Sequence, residues 1–240
     1  MGRMVEARSQ HAAGGGHVVV LRLGRSDARE PTARAARIRQ SAVDAVIDFS
    51  SADAVLDNIA AAMQAGTPIV VGTTGWGDRL AQAHQAVRDA GGVMVHGANF
   101  SIGVNVYYRL ARFAAEMLSR AGGYDPFIEE QHHARKKDAP SGTALQLRTI
   151  VSEALSTPPD RVGVAATRAG SITGTHRVGF DGAVDQIVLT HAAKSREGFA
   201  DGAILAARWA IGRAPGVYAF DRVMDEVLAP GDATVGGRAL

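Results

Sequence analysis

Three short apolar runs recur at nearly constant spacing in the first part of the chain: Val46–Asp48, Ile69–Val71 and Val93–Val95. Segments with helical periodicity separate them. The first segment can be capped by Ser50 or Ser51 and stops at Gly66. Because alternating strands and helices are typical of parallel βαβ units, the pattern predicts a doubly wound parallel sheet.

A fourth strand is predicted earlier in the chain, at Val18–Leu23, after a short helix that begins near Gly2 and a turn at Gly14–Gly16. Four parallel strands with crossing helices make a Rossmann-like half. No Gly-x-Gly-x-x-Gly follows a first strand. The sequence therefore lacks the motif from which a dinucleotide site would be predicted. In such a sheet, ligands bind beyond the carboxyl ends of the strands.

Beyond Phe100 the pattern changes. Residues 104–120 have one long apolar stripe at helical spacing, and a last helix is predicted at 200–211. Strand candidates lie between them, at 125–129, 174–180 and 183–191. This order predicts a second, α+β domain with a mixed or antiparallel sheet.

Composition narrows the class of protein. Hydrophobic residues make up 46% of the chain, which excludes a disordered or fibrous protein, and a net charge of +2 gives no sign of a nucleic-acid-binding face. There is no cysteine, so disulfides and thiolate chemistry are excluded. No apolar run approaches the length of a membrane span, and polar residues follow Met1–Met4, so we expect a cytoplasmic protein that binds no membrane.

The densest chemistry lies in residues 129–145, where two histidines and three cationic side chains fall within positions 132–137. An anionic ligand would offset the repulsion among these charges. Directly afterwards Ser141 can cap a helix predicted at 144–155, and the amides of Gly142 and Thr143 would form an anion site at its start. A substrate that carries carboxylates suits both halves of the segment.

Two other interpretations of this segment are open. Adjacent His132 and His133 on an extended segment point to opposite sides, and the neighbouring cations repel a metal ion, so we predict no metal site. A solvated loop of charges is the plainer alternative. An imidazole beside an anion site is well suited to deliver a proton, which favours a catalytic role.

The run Glu130-x-His132-His133-x-x-Lys136-x-Asp138-Ala139-Pro140-Ser141-Gly142-Thr143-Ala144 resembles the signature of the 4-hydroxy-tetrahydrodipicolinate (dihydrodipicolinate) reductases of lysine and diaminopimelate synthesis. Further stretches match in the family's order: residues 48–50, 72–75, 98–105, 175–180 and 191–203. The resemblance covers residues 46 to about 228. It implies an oxidoreductase that reduces a small cyclic dicarboxylate with NADPH or NADH.

The roles of the family's functional residues can be assigned to the matching residues of this chain. The resemblance implies that His132 is the general acid, that Lys136 with the amides of Gly142 and Thr143 holds the substrate carboxylates, and that His133 assists. Lys137 has no such role.

For the cofactor, the resemblance implies that one set of residues contacts the nicotinamide half: Gly72, Thr74, Ala98 and Phe100. Arg196 and Phe199 would lie near the cofactor where the chain returns to the first domain. This gives a dinucleotide-binding domain at 1–101 and 197–240, and a domain for substrate binding and oligomerisation at 102–196. The run Leu23-Gly24-Arg25-Ser26 has no acid, and Arg25 favours the 2′-phosphate of NADPH, with NADH still open.

One part of the family pattern is missing. Family members begin with a strand and the turn Gly-x-x-Gly-Arg-Met-Gly-Arg, of which Met1-Gly2-Arg3 resembles the end, so the first strand is absent and an exposed sheet flank is expected. Either the start was assigned too late or the product is truncated. A non-catalytic paralogue that keeps its second domain for ligand sensing or oligomerisation is the alternative function. The family resemblance also implies a homotetramer.

Overall fold

The computed structural model describes residues 1–10, 16–24, 27 and 30–229. The chain divides into two compact units: unit 1 is Met1–Ile102 with Glu197–Leu240, and unit 2 is Gly103–Arg196. Within the described ranges, no helix has both the length and the hydropathy that crossing a membrane requires.

The helices are α1 Gly2–Ser9, α2 Pro31–Gln40, α3 Val55–Ala65, α4 Leu80–Asp89, α5 Ile102–Ala121, α6 Gly142–Leu155, α7 Glu197–Ala210 and α8 Phe220–Leu228. The strands are β1 Val46–Asp48, β2 Ile69–Val71, β3 Val93–His96, β4 Tyr124–His132, β5 Gly163–Arg168, β6 Thr175–Gly182, β7 Gln186–Ala192 and β8 Gly216–Ala219. The short helix near Gly2 and the end of α3 at Gly66, where φ is +70°, confirm the sequence predictions.

Unit 1 contains a parallel sheet in the order β1-β2-β3-β8, so the doubly wound class is confirmed. The strand predicted at Val18–Leu23 is wrong. Val18 and Val20 are 78% and 58% exposed, and Val19 and Leu21 are only half-buried, so the run contains no buried residue that would fix it within a sheet. The fourth strand is instead β8, a short segment that pairs with β3.

Within the described residues, β1 is an outer strand of this sheet. Leu21 and Val46 pack against a cluster that includes Ile38 of α2, while Ile47 packs against one that includes Val5 of α1. Apolar contacts from α1, α2 and Leu21 therefore cover the faces of β1.

Unit 2 contains a mixed sheet in the order β5-β4-β6-β7, in which only β5 runs parallel to its neighbour β4. The predicted mixed α+β arrangement is confirmed. Strand β5 escaped prediction because Gly-Val-Ala-Ala-Thr-Arg has no apolar alternation and is mostly exposed. The core of unit 2 is formed by α5, α6 and one face of the sheet. It includes Tyr107, Leu147, Ile128 and Val178.

Candidate active site

The carboxyl end of β4 places two polar side chains on the buried face of its sheet. Ile128, Glu130 and His132 alternate along the strand and are 1%, 1% and 9% exposed. Since side chains two apart in a strand lie on the same face, the apolar face that begins with Ile128 ends in an acid and an imidazole. A carboxylate and its histidine are thereby held side by side, largely shielded from water.

The carboxylate of Glu130 joins three segments. Its Oε2 contacts Nδ1 of His132 in a short hydrogen bond. Its Oε1 accepts from the backbone amide of Ser141 at 3.0 Å and from Nη2 of Arg168 at 2.7 Å. Burial alone would raise the pKa of Glu130, but the hydrogen bonds from Arg168, Ser141 and His132 outweigh it and leave that pKa lowered. Glu130 is therefore an ionised acceptor.

Ser141 begins α6, as the sequence predicts. Its Oγ accepts from the amide of Ala144 at 3.2 Å and lies 3.2 Å from Nε2 of His176. Gly142 is exposed, and a Cβ added there would meet no atom within 4 Å. The first turn of the helix therefore faces open space, where an anion can approach the positive end of the helix. Thr143 is half-buried beside it.

The two lysines differ, as their predicted roles do. Lys136 is half-buried and its Nζ lies 2.9 Å from Oδ2 of Asp138, whereas Lys137 is exposed. The hydrogen bond from Lys136 lowers the pKa of Asp138. His133 is half-buried, and the described part of the chain offers no hydrogen-bond partner to its buried Nδ1.

The imidazoles of His132 and His176 meet edge to face, with ring centroids 5.1 Å apart. Burial, with a smaller contribution from His132, lowers the pKa of His176 to about 4. Burial also lowers the pKa of His132; Glu130 opposes this shift, and Lys136 and Arg168 add to it. Both rings are therefore biased toward the neutral form in the absence of an anion.

The contacts of His132 settle which of its nitrogens is available. Because ionised Glu130 can only accept, Nδ1 of His132 carries the hydrogen of their shared bond. Nε2 is then the atom that can take up and release a proton. A Cβ at Gly174 would lie 3.0 Å from this Nε2, so glycine keeps the space beside it open.

Glu130, His132 and His176 also offer ligand atoms that all lie within 4.8 Å of one another, which is the spacing of a metal site. The surrounding charges oppose that use. Both oxygens of Glu130 already accept hydrogen bonds, and the guanidinium of Arg168 lies 2.7 Å from one of them. The arrangement therefore favours a proton-handling network.

In unit 1, the predicted cofactor residues follow neighbouring strands. Thr74 and Ala98 are exposed in the turns after β2 and β3, so small residues line the carboxyl end of this sheet. Gly72 donates its amide to the carbonyl of Asp48 at 2.9 Å. A carboxylate oxygen of Asp48, Oδ2, is buried there without a hydrogen-bond partner among the described residues. An exposed edge of small residues with a buried carboxyl group beneath it fits a flat, hydrogen-bonding ring.

The remaining predicted cofactor residues are less uniform. Phe100 is 2% exposed and its ring packs against Phe49 and Phe220, so its side chain belongs to the core. Phe199 is half-buried and Arg196 is exposed. Arg25 lies outside the described residues.

Sequence reasoning missed three members of the site in unit 2. Glu130 stood in the motif without a role, although its alternation with Ile128 and His132 indicated a buried position. His176 stood in a quoted stretch, also without a role. Arg168 had no signal, because β5 itself was not predicted.

The chain resembles known proteins in both of its units. Family models described as dihydrodipicolinate reductase, N-terminus and C-terminus, match residues 3–100 and 103–224. A 4-hydroxy-tetrahydrodipicolinate reductase of Methanosarcina barkeri is 38% identical over 200 residues, 78% of this chain and 75% of the relative. One of Anaeromyxobacter dehalogenans is 40% identical over 193 residues, 73% and 70% of the two chains.

A solved structure, the dipicolinate-bound dihydrodipicolinate reductase from Paenisporosarcina sp. TG-14, has the same fold, with a TM-score of 0.66 and 21% identity over 78% of this chain and 76% of that one. The fold and the matched segments are those of an oxidoreductase enzyme. The chain belongs to the dihydrodipicolinate reductase family. Matches in both units give no support to the non-catalytic alternative.

Proposed function

We propose that this chain reduces 4-hydroxy-tetrahydrodipicolinate to tetrahydrodipicolinate with NADPH or NADH, in lysine and diaminopimelate synthesis. The observation that carries the proposal is the link through Glu130, which holds the imidazole of His132 and the start of α6 in one buried cluster. A proton donor and an anion site held together suit a substrate that carries carboxylates. The relatives named above are reductases of this substrate by name.

In this reaction His132 delivers a proton from Nε2 to the carbon next to the one that is reduced. Lys136 and the first turn of α6, at Gly142 and Thr143, hold the carboxylates, and His133 assists. The 4-hydroxyl group leaves as water with a hydrogen from the adjacent carbon, which creates a double bond. Hydride then adds to one carbon of this bond and the proton from His132 to the other. A dianion near Lys136 and Arg168 offsets their effect on His132, so binding favours the protonated imidazole.

Unit 1 is the dinucleotide-binding domain of this proposal, and unit 2 is the substrate domain. The dinucleotide, when bound, supplies hydride. Gly72, Thr74 and Ala98 would contact its nicotinamide half, with the backbone of Phe100. Arg25, Arg196 and Phe199 keep their predicted roles near the cofactor, and a homotetramer formed through the sheet of unit 2 stays a prediction.

The test is the oxidation of NADPH and of NADH by the purified chain with freshly made 4-hydroxy-tetrahydrodipicolinate, followed by the loss of nicotinamide absorbance. We expect turnover that pyridine-2,6-dicarboxylate inhibits competitively. Calorimetric titrations of pyridine-2,6-dicarboxylate and NADPH then separate the two domains' roles. Absence of turnover with either nucleotide, in protein that binds both ligands, would contradict the proposal.

A further inference from the structure

Glu130 contacts parts of unit 2 to which the proposed function gives separate tasks. One oxygen meets His132, the proton donor, and the other meets the amide of Ser141, where α6 begins. Arg168 binds the second oxygen and also donates, from the same Nη2, to the carbonyl of Asp138 at 2.6 Å. Asp138 in turn pairs with Lys136. A single carboxylate thus connects the acid, the helix start and the lysine loop.

We propose that Glu130, anchored by Arg168, is a positioning residue that fixes the His132 ring relative to the start of α6 and keeps Nε2 of that ring as the proton-donating atom. The inference rests on the proposed function. It adds a residue that does not touch substrate but acts through His132.

Burial explains why Glu130 can do this. Its side chain is fully buried, and each of its oxygens is engaged by a donor from a different segment. A buried charge with complete hydrogen bonding has one low-energy placement, because every alternative leaves a charged oxygen unsatisfied. The ring of His132 therefore inherits a fixed orientation and a fixed tautomer.

The charges around His132 predict the direction in which its pKa changes when Glu130 is replaced. Charges that act directly on His132 come from β4, the following loop and β5, namely Glu130, Lys136 and Arg168, while the ring of His176 on β6 packs against it. Of these, Glu130 alone raises the pKa of His132. The imidazolium that must form before proton delivery is thus stabilised by Glu130 and opposed by the two cations.

The test replaces Glu130 with glutamine and uses Glu129→Gln as the matched control. Glu129 is the preceding carboxylate on the same strand, but it is half-exposed and pairs with Arg177. An amide at position 130 loses the charge and turns a donor toward Nδ1. We expect kcat for Glu130→Gln to fall roughly 100-fold, within the range that a general acid contributes. The KM for substrate should change much less, and Glu129→Gln should match the wild-type chain.

The pH profile separates positioning from a merely structural role. The rate falls as pH rises through the pKa of the acid that must be protonated. Without the charge of Glu130 this falling limb moves to lower pH, whereas Glu129→Gln leaves it in place. Glu130→Asp keeps the charge on a shorter side chain, so its limb should stay near the wild-type position while kcat recovers in part. If Glu130→Gln does not fold, Glu130→Asp tests the positioning alone: kcat should fall while the limb stays in place, and a wild-type kcat would overturn the proposal.

NMR titration of the His132 ring in the wild-type chain and the variants reads the same shift without turnover, which keeps this inference separate from the proposed function. A wild-type chain without turnover contradicts the proposed function alone. An unchanged His132 titration and pH limb in Glu130→Gln would overturn the positioning role. So would a Glu130→Asp protein whose limb and kcat match those of Glu130→Gln.

Discussion

The carboxyl end of the parallel sheet in unit 1 and the end of β4 in unit 2 present different kinds of surface. The first offers exposed, uncharged residues such as Thr74 and Ala98. The second buries an ionised acid, Glu130, between His132 and Arg168. A flat cofactor ring needs close approach and little charge, whereas a proton donor needs its charge state controlled. Under the proposed function, this difference would separate cofactor binding from acid catalysis.

The largest effect should come from the acid itself. Replacing His132 with asparagine removes the proton donor, so we expect kcat to fall about 10²- to 10⁴-fold. The affinity for NADPH, measured by calorimetry, should change little, because all the predicted nucleotide residues except Arg196 belong to unit 1. Near-normal turnover would remove His132 as the acid and with it the contrast between the two regions.

The second effect is a pH dependence that the buried histidines confer on stability. Burial lowers the pKa of His176 in the folded chain to about 4, from the ordinary imidazole value of about 6.5. Between these values the unfolded chain binds a proton that the folded chain does not. The free energy of unfolding therefore decreases as pH falls through this window, by up to about 3 kcal/mol for this group, and rises again as pH increases.

Urea unfolding between pH 4 and pH 7 measures this dependence, and the difference between the wild-type chain and His176→Asn isolates the contribution of one ring. The pKa of His176 is also read directly by NMR titration of the wild-type protein. Parallel stability curves, together with an ordinary titration of His176, would show that its burial does not control its charge.

The third effect concerns one charged residue of unit 2, Lys136. Lys136→Gln removes the ammonium that we expect on a substrate carboxylate, which costs about 1.5–3 kcal/mol, a roughly 10- to 100-fold weaker binding of pyridine-2,6-dicarboxylate. Lys137→Gln, the adjacent exposed lysine, is the control and should bind normally. An equal loss of pyridine-2,6-dicarboxylate affinity in the two variants would indicate that the ligand responds to the total positive charge of the segment and not to a contact with Lys136.

The smallest effect concerns Gly72, in the turn after β2 of unit 1. A Cβ at Gly72 would lie 2.2 Å from the ring of Phe49, so Gly72→Ala forces that ring to move and should cost about 1–3 kcal/mol of stability and weaken NADPH binding. Gly77→Ala is matched, because a Cβ there meets nothing within 4 Å. Unfolding by urea and calorimetry with NADPH measure both. Unchanged nucleotide affinity in Gly72→Ala would separate this turn from the cofactor site.

Local sequence patterns predicted much of the fold. The strands β1, β2 and β3 are short apolar runs bounded by turn residues, and such runs are readable wherever a strand is buried. The same reading failed at Val18–Leu23, because an apolar run alone does not show whether a neighbouring strand is placed to pair with it. It also missed β5 and β8, which contain no buried residue and whose places come from pairing with β4 and β3.

The candidate site divides in the same way. The sequence by itself determined the start of α6, since Ser141 and Ala144 interact within one helical turn, and it determined the alternation that turns Glu130 and His132 to one face of β4. Only the tertiary structure decided that Arg168 and His176 join them, through the register that sets Arg168 opposite His132 and His176 opposite Glu130. The physical reason is that strand register depends on packing between segments far apart in the chain, while caps and alternation depend on near neighbours.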